Sequence, residues 1–277
     1  MSYGPNPWQQ RHWDWRAAAN FMCGGLGSGL IVATALAGGP AWLHGAGALL
    51  VAAGLAAVWF EIGRPWRALN VLLNPRRSWM SREALLAPPL LVAAVAAATG
   101  MPGAAAAAAL LALAFAGCQG CILRAARGIP AWREPLVVPL IVATGLAEGA
   151  GLWLLATGPR GLGPLSLWGL FAGALLARLL LWTLWRARIT AAARALATID
   201  RAGHAFKAAT LLPLAMAVIA TLAPLPPEAA GLLQALAGAI AAAGGLWFKF
   251  TLVTRAAFNQ GFALPHLPVR GVRRRET

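Results

Sequence analysis

The chain alternates between long apolar runs and short polar connections. Eight runs approach the roughly 20 apolar residues that one helix needs to cross the hydrocarbon core of a bilayer. They cover residues 17–37, 43–62, 84–101, 103–124, 135–156, 166–186, 207–223 and 229–254. This pattern predicts an all-α polytopic membrane protein with eight transmembrane helices. The first run is long for the apolar part of a signal peptide, so we expect it to be a retained helix.

The connection between the sixth and seventh runs is long and basic. Residues 186–206 carry arginines that would lie on several faces of a helix. We therefore expect a separate surface helix there, lying on the membrane or against a partner. Pro88, Pro89 and Pro213 fall inside the third and seventh runs, where neighbouring helices can satisfy the backbone groups that proline leaves free.

Composition agrees with a membrane protein and changes how the charge is interpreted. Hydrophobic residues make up 60% of the chain and charged residues only 11%, against about a quarter in a soluble domain. The net charge of +15 could indicate nucleic-acid binding. However, the arginines are grouped in short clusters between the apolar runs. We therefore predict that the positive charge sets the membrane topology and that the chain does not bind nucleic acid.

The basic clusters occur in every second connection. Residues 63–83, 124–134 and 186–207 and both termini are basic, whereas 38–42, 102 and 224–228 contain neither lysine nor arginine and 157–165 contains only Arg160. Positive residues stay on the cytoplasmic side, which predicts cytoplasmic termini in a bacterial inner membrane. The chain then divides into an N-terminal segment (1–16), a membrane domain (17–254) and a basic tail (255–277).

Two carboxylates lie at the predicted cytoplasmic boundary. Glu61 ends the second run and Glu83 precedes the third, both beside arginines and tryptophans. Such a group suits a site that binds a lipid-soluble molecule and exchanges protons with it. An ion-pair network that fixes the connecting loop is an equally good interpretation of the same residues.

The sequence Glu-Ile-Gly-Arg-Pro-Trp-Arg-Ala-Leu-Asn (61–70), followed by Ser-Trp-Met-Ser-Arg-Glu (78–83), resembles the membrane anchor subunit of dimethyl sulfoxide reductase. That subunit belongs to a wider group of membrane anchors that includes the polysulfide reductase membrane subunit. The resemblance implies a quinone-binding anchor that carries neither haem nor cluster. It also implies two partners, a four-cluster iron–sulfur subunit and a molybdopterin catalytic subunit.

The same resemblance assigns residues to the quinone site. Glu83 matches a carboxylate implicated in menaquinol binding, and Arg67, Asn70 and Ser81 match loop residues. Glu61 stands where the family has histidine, which leaves its role open. The complete predicted site, for menaquinone or ubiquinone, comprises Asn20, Trp59, Glu61, Arg64, Trp66, Arg67, Asn70, Ser81, Arg82 and Glu83.

The orientation of this loop separates the chain from the dimethyl sulfoxide reductase anchor, where the loop faces the periplasm. Here the loop is basic, so we expect the partners to dock from the cytoplasm and electrons to reduce quinone. Residues 249–262 also resemble anchors related to phenylacetyl-CoA:acceptor oxidoreductase. Sulfite and phenylacetyl-CoA remain equally suitable electron donors. A bare anchor without a quinone site, or a transporter or proton channel, is the alternative.

Other polar residues inside the runs bear on cofactors and protons. The four histidines, His12, His44, His204 and His266, cannot pair across the bilayer core, so we expect no haem. Cys118 and Cys121 lack a second pair, so we expect no cluster.

Glu148 and Arg178 lie deep in the fifth and sixth runs. At 1.5 Å per residue they are roughly 12 and 18 Å from the outer helix ends. We expect a buried pair, which is either part of a proton path or purely structural. Lys249 is expected to extend toward the cytoplasmic boundary.

Overall fold

The protein is helical throughout the part of the chain that the structure describes. This computed structural model describes residues 4, 6–61, 65–158 and 164–261, without the side chains of residues 65–67. Within these ranges the β-structure is one isolated antiparallel bridge between Gln9 and Phe258.

Eight long helices cross the molecule. They are α1 (Trp15–Ala37), α2 (Trp42–Trp59), α3 (Trp79–Ala98), α4 (Ala104–Ala125), α5 (Val137–Thr157), α6 (Leu165–Arg188), α7 (Ala193–Leu222) and α8 (Pro227–Phe250). A π-helical turn, Thr251–Arg255, continues α8, and short 3₁₀ helices cover Pro65–Leu73 and Pro130–Trp132. Each long helix has the length and hydropathy of a membrane span. The predicted all-α, multi-pass membrane fold is therefore confirmed for the described residues.

Two helices, α3 and α7, begin five or more residues before the position that the hydrophobic pattern predicts. The α3 helix starts at Trp79 because the Ser78 side chain caps it, accepting a hydrogen bond from the Ser81 backbone N–H at 3.3 Å. Its first turn carries arginine and serine, which hydropathy alone assigns to the loop. The capping residue, not hydrophobicity, sets this helix end.

The separate surface helix predicted for residues 186–206 is wrong. Residues 193–206 instead form the first part of α7, which runs without interruption for 30 residues. Ala195, Ile199, Ala202 and Phe206 recur at helical spacing and are all buried. The other faces carry charges, and one of them, Asp200, accepts two hydrogen bonds from Arg186 near the end of α6.

The centre of the bundle depends on close approach between helix backbones. A Cβ atom added at Gly29 of α1 would collide with the Gly145 carbonyl of α5, and one at Gly149 would collide with Gly29 itself. Gly151 of α5 and Gly238 of α8 meet in the same manner. Small residues at these crossings let α1, α5 and α8 pack closely, as in many membrane helix interfaces.

The two ends of the described chain are bound together at the end of the bundle that carries the basic connections 63–83, 124–134 and 186–207, called the basic end below. Trp8 donates its backbone N–H to the Asn259 side chain at 3.1 Å, beside the Gln9–Phe258 bridge. Trp13 packs on Trp132 with ring centroids 5.0 Å apart. These contacts fix the chain that enters α1, whose Trp13 also lines the cavity described next.

Candidate functional site

A cavity of about 740 Å³ opens at the basic end of the bundle. It lies among α1, α2, α3 and the 3₁₀ helix Pro65–Leu73, with one contribution from α4. Its volume falls within the range of small-molecule sites. Most of its wall is apolar, formed by Trp13, Ala17, Phe21, Leu55, Val58, Trp59, Ala68, Leu69, Val71, Leu72, Met80, Ala84, Ala87, Pro88, Leu91 and Ile122. Three polar residues complete the described lining: Asn20, Glu61 and Glu83.

Glu83 is the deeply buried carboxylate of this wall. It lies in the second turn of α3, only 6% exposed, and Asn20 of α1 donates from Nδ2 to its Oε1 at 3.1 Å. Burial of a carboxyl group in an apolar wall is costly without such a partner. Asn20 therefore both stabilises and orients Glu83 at the cavity.

A third buried side chain holds Asn20 in place. Gln119 of α4 is fully buried and donates from Nε2 to the Asn20 carbonyl at 2.8 Å. Gly24 leaves the space that this amide occupies, because an added Cβ there would collide with Nε2. The predicted site did not include Gln119. The sequence signal that could have identified it is a lone amide side chain within the apolar run 103–124.

Glu61 occupies the outer part of the wall, two residues beyond α2. Partial burial raises the pKa of Glu61 above its ordinary value, and the Asp14 charge adds to that rise, whereas the Arg16 charge opposes it. Arg16 also donates from Nη1 to the Phe60 carbonyl at 3.0 Å and pairs with Asp14 at 2.8 Å. This arginine, absent from the predicted site, ties the start of α1 to the end of α2.

The structure divides the predicted quinone-site residues into three groups. Asn20, Trp59, Glu61 and Glu83 line the cavity together. Asn70, Ser81 and Arg82 lie outside its described wall. Arg64 is outside the described residues, and the side chains of Trp66 and Arg67 are likewise not described.

Arg82 and Ser81 support the loop that precedes α3. Arg82 donates to the carbonyls of Pro75 at 2.8 Å and Arg76 at 3.1 Å, and its guanidinium covers the Trp79 ring at 4.0 Å. Ser81 is buried and takes part in the cap of α3, whereas Asn70 is exposed. Ser81 and Arg82, the predicted site residues nearest Glu83 in sequence, thus shape its helix and the preceding loop rather than the cavity surface.

The predicted pairing of Glu148 with Arg178 is wrong, and so is the expected position of Lys249. Lys249 of α8 is fully buried and donates from Nζ to Glu148 Oε2 at 2.6 Å and to the Phe21 carbonyl at 2.8 Å. Arg178 donates instead to Thr210 at 2.9 Å and to the Ala241 carbonyl at 3.0 Å. Adjacency along the chain placed α6 next to α5, but α8 also packs on α5 and brings the lysine.

Metal ligation has no evident centre in the described ranges. No group of three or more His, Cys, Asp or Glu residues is placed there to hold a metal ion. His44 is buried near the start of α2, at the end of that helix remote from the cavity, and Cys118 is buried in α4.

Fold and site together define a multi-pass membrane protein with an apolar cavity that contains a buried carboxylate. No family model matches the chain. Part of it is similar to a sulfite dehydrogenase subunit from Allochromatium vinosum, with 30% identity over 121 residues. The match covers 36% of this chain and 37% of that protein, so it spans little more than a third of the relative.

Proposed function

We propose that this chain is the quinone-reactive membrane subunit of an oxidoreductase complex. The observation that carries the proposal is the buried carboxylate of Glu83 in a mostly apolar cavity of about 740 Å³. The partial similarity to a sulfite dehydrogenase subunit supports a place in such a complex. The motif resemblance over residues 61–83 supports membership of the dimethyl sulfoxide reductase and polysulfide reductase anchor group.

The cavity residues suit a quinone in size and chemistry. Apolar and aromatic groups, among them Trp13, Phe21 and Trp59, can enclose a flat ring, and the apolar helix faces of the wall can accept an isoprenoid tail. A bound quinone supplies a carrier of two electrons and two protons. Glu83 would hold or release a proton at its carboxyl oxygen, and Asn20 would keep that oxygen aimed correctly. Glu61 would exchange protons nearer the surface.

The proposed complex extends beyond this chain. A four-cluster iron–sulfur subunit would deliver electrons at the basic end, fed by a molybdopterin catalytic subunit. In our proposal both dock from the cytoplasm, and the quinone pool is reduced. The proposal covers menaquinone and ubiquinone as the acceptor, and sulfite and phenylacetyl-CoA as the donor.

Glu83→Gln in the intact complex tests the proposal. Glutamine keeps the size and the hydrogen bonding of the side chain but cannot exchange a proton. We expect the rate of quinone-analogue reduction to fall by about 10²–10⁴-fold, the usual contribution of a positioned acid or base. Reduction of a soluble dye by the catalytic subunit should stay at the native rate.

Glu134→Gln is the matched control, because Glu134 lies at the same end but outside the described cavity wall, 3.9 Å from Arg188. It should leave both rates near native. If Glu83→Gln reduces quinone at the native rate, the chain is a bare anchor and the proposal is refuted.

A further inference from the structure

A second group of ionisable side chains lies behind the cavity. Glu148 of α5, Arg178 of α6 and Lys249 of α8 are each 0% exposed. The Lys249 ammonium and the Glu148 carboxylate form a short, charge-assisted hydrogen bond of 2.6 Å. Arg178 makes no hydrogen bond to Glu148 but is close enough to attract it electrostatically. We call these three residues the buried cluster.

The buried cluster carries an excess positive charge, since it contains two cations and one anion. Removal of a charge from water is expensive, and the pairing of Glu148 with Lys249 compensates only one of the two cations. Arg178 is held by neutral partners, the Thr210 hydroxyl and backbone carbonyls of α7 and α8. Ionisable groups kept inside a membrane at such cost are usually functional.

The buried cluster adjoins the cavity across α1. Lys249 Nζ contacts the carbonyls of Phe21 at 2.8 Å and Met22 at 3.3 Å, while the Phe21 side chain belongs to the cavity wall. Asn20, the residue before Phe21, contacts Glu83 on the cavity side. One helix thus has the buried cluster on one side and the ligand space on the other.

Two glycines leave the space that the Lys249 and Glu148 side chains occupy. An added Cβ at Gly25 would meet Lys249 Nζ, and one at Gly245 would collide with Glu148 Oε1. That Oε1 atom is buried and has no hydrogen-bond partner among the described residues. The carboxylate is therefore held by Lys249 and by its electrostatic surroundings rather than by a full hydrogen-bond set.

We propose that the buried cluster gives the cavity a preference for the anionic form of its ligand, a quinone-class ring with negative charge on an oxygen. This inference rests on the proposed function. Ionised Glu61 or Glu83 in the wall would act against an anion, and the positive charge behind α1 opposes that effect. Because a quinone becomes negative when it accepts an electron, the same field favours its reduction.

The expected change in anion affinity follows from the distance between the ligand and the buried cluster, which is set by the thickness of α1. A ligand on its far side is about one helix diameter, roughly 10 Å, from the Glu148–Lys249 pair. At the effective dielectric constant of about 20 that suits protein sites, one unit charge at that distance changes an anion's affinity by about tenfold. Arg178, which contacts α7 and α8 rather than α1, should have a smaller effect in the same sense.

The test compares two probes of nearly equal shape, 2-hydroxy-1,4-naphthoquinone, which is anionic at pH 6–7, and its neutral methyl ether. Affinities of the purified full chain for both are measured by fluorescence quenching of cavity tryptophans. The anion preference is the affinity for the anionic hydroxyquinone divided by the affinity for its neutral methyl ether. Glu148→Gln should raise this ratio about tenfold, and Arg178→Gln should lower it several-fold. The double variant Glu148→Gln/Lys249→Met keeps one excess cation and should retain the native ratio.

The controls separate this inference from the proposed function. Arg186→Gln removes a partly exposed arginine paired with Asp200 and should leave the ratio unchanged. If the ether binds every folded variant equally while Glu148→Gln fails to raise the ratio and Arg178→Gln fails to lower it, the inference is overturned and quinone binding stands. If the ether does not bind the native chain, the proposed function fails as well. Should Glu148→Gln not fold, Arg178→Gln and the double variant decide.

Discussion

The crossing of α1 and α5 at Gly29 allows a prediction whose magnitude can be worked out. In Gly29→Ala the new methyl group would collide with the Gly145 carbonyl, a backbone atom that cannot rotate away. Overpacking of this kind costs about 1–3 kcal/mol. Alanine also gains about 1 kcal/mol of helix propensity over glycine, which partly hides the cost in a single measurement.

Gly117→Ala is the matched control that removes this ambiguity. A Cβ at Gly117, inside α4, would meet nothing within 4 Å. Both variants share the propensity gain, so the difference between them reports the overpacking alone, about 1–3 kcal/mol. At roughly 2–4 °C for each kcal/mol, Gly29→Ala should melt several degrees below Gly117→Ala.

The assay is thermal unfolding of both variants and the native chain in the same detergent. We expect Gly117→Ala to melt at or above the native temperature and Gly29→Ala to melt lowest. Equal melting temperatures for the two variants would refute the close α1–α5 approach, and with it the placement of Lys249 against the Phe21 carbonyl.

Two further predictions concern pH and the start of the bundle. Burial raises the pKa of Glu61 above its ordinary value of 4.5. Protonated Glu61 therefore stabilises the fold below pH 4.5, and this contribution to the free energy of unfolding is lost as pH rises through the higher pKa of the folded state. Glu61→Gln should therefore gain melting temperature relative to the native chain between pH 4 and 7, and a constant difference would contradict this. The Arg16 hydrogen bond lowers the pKa of Asp14 below 3.8, which stabilises the fold above that pH and is lost as pH falls through the lower value. Asp14→Asn should melt below the native chain at pH 7, with a gap that narrows on acidification; a pH-independent gap would exclude the pairing.

Sequence patterns predicted the helices well because crossing a bilayer imposes length and hydropathy on each segment. They failed at α7, where polar residues on several faces concealed the buried spacing of Ala195, Ile199, Ala202 and Phe206. Hydropathy measures the average of a segment, whereas burial depends on one face. A helix that passes beyond the apolar zone therefore looks shorter in sequence than it is.

The site was only partly predictable for a different reason. Glu61 and Glu83 flank one loop, so local sequence brings them to the same cavity. Gln119 and Lys249 reach their partners across helices that are distant in sequence, and hydropathy does not state which helices are neighbours. Lys249 meets Glu148 because Gly25 and Gly245 leave room for it. Such a contact depends on rotation of each helix about its axis, which no single segment encodes.

The α1 helix links the cavity to the buried cluster through consecutive residues. Asn20 presents its side chain to Glu83, and Phe21 presents its carbonyl to Lys249. One turn later Gly24 makes space for Gln119, and Gly25 makes space for Lys249. A rotation or axial shift of α1 would therefore disturb both sets of contacts together. Since Gly29 packs this helix directly against the backbone of α5, the register of α1 is fixed close to both groups. The glycines of α1 are thus needed for ligand chemistry on one side and charge burial on the other, beyond their role in packing.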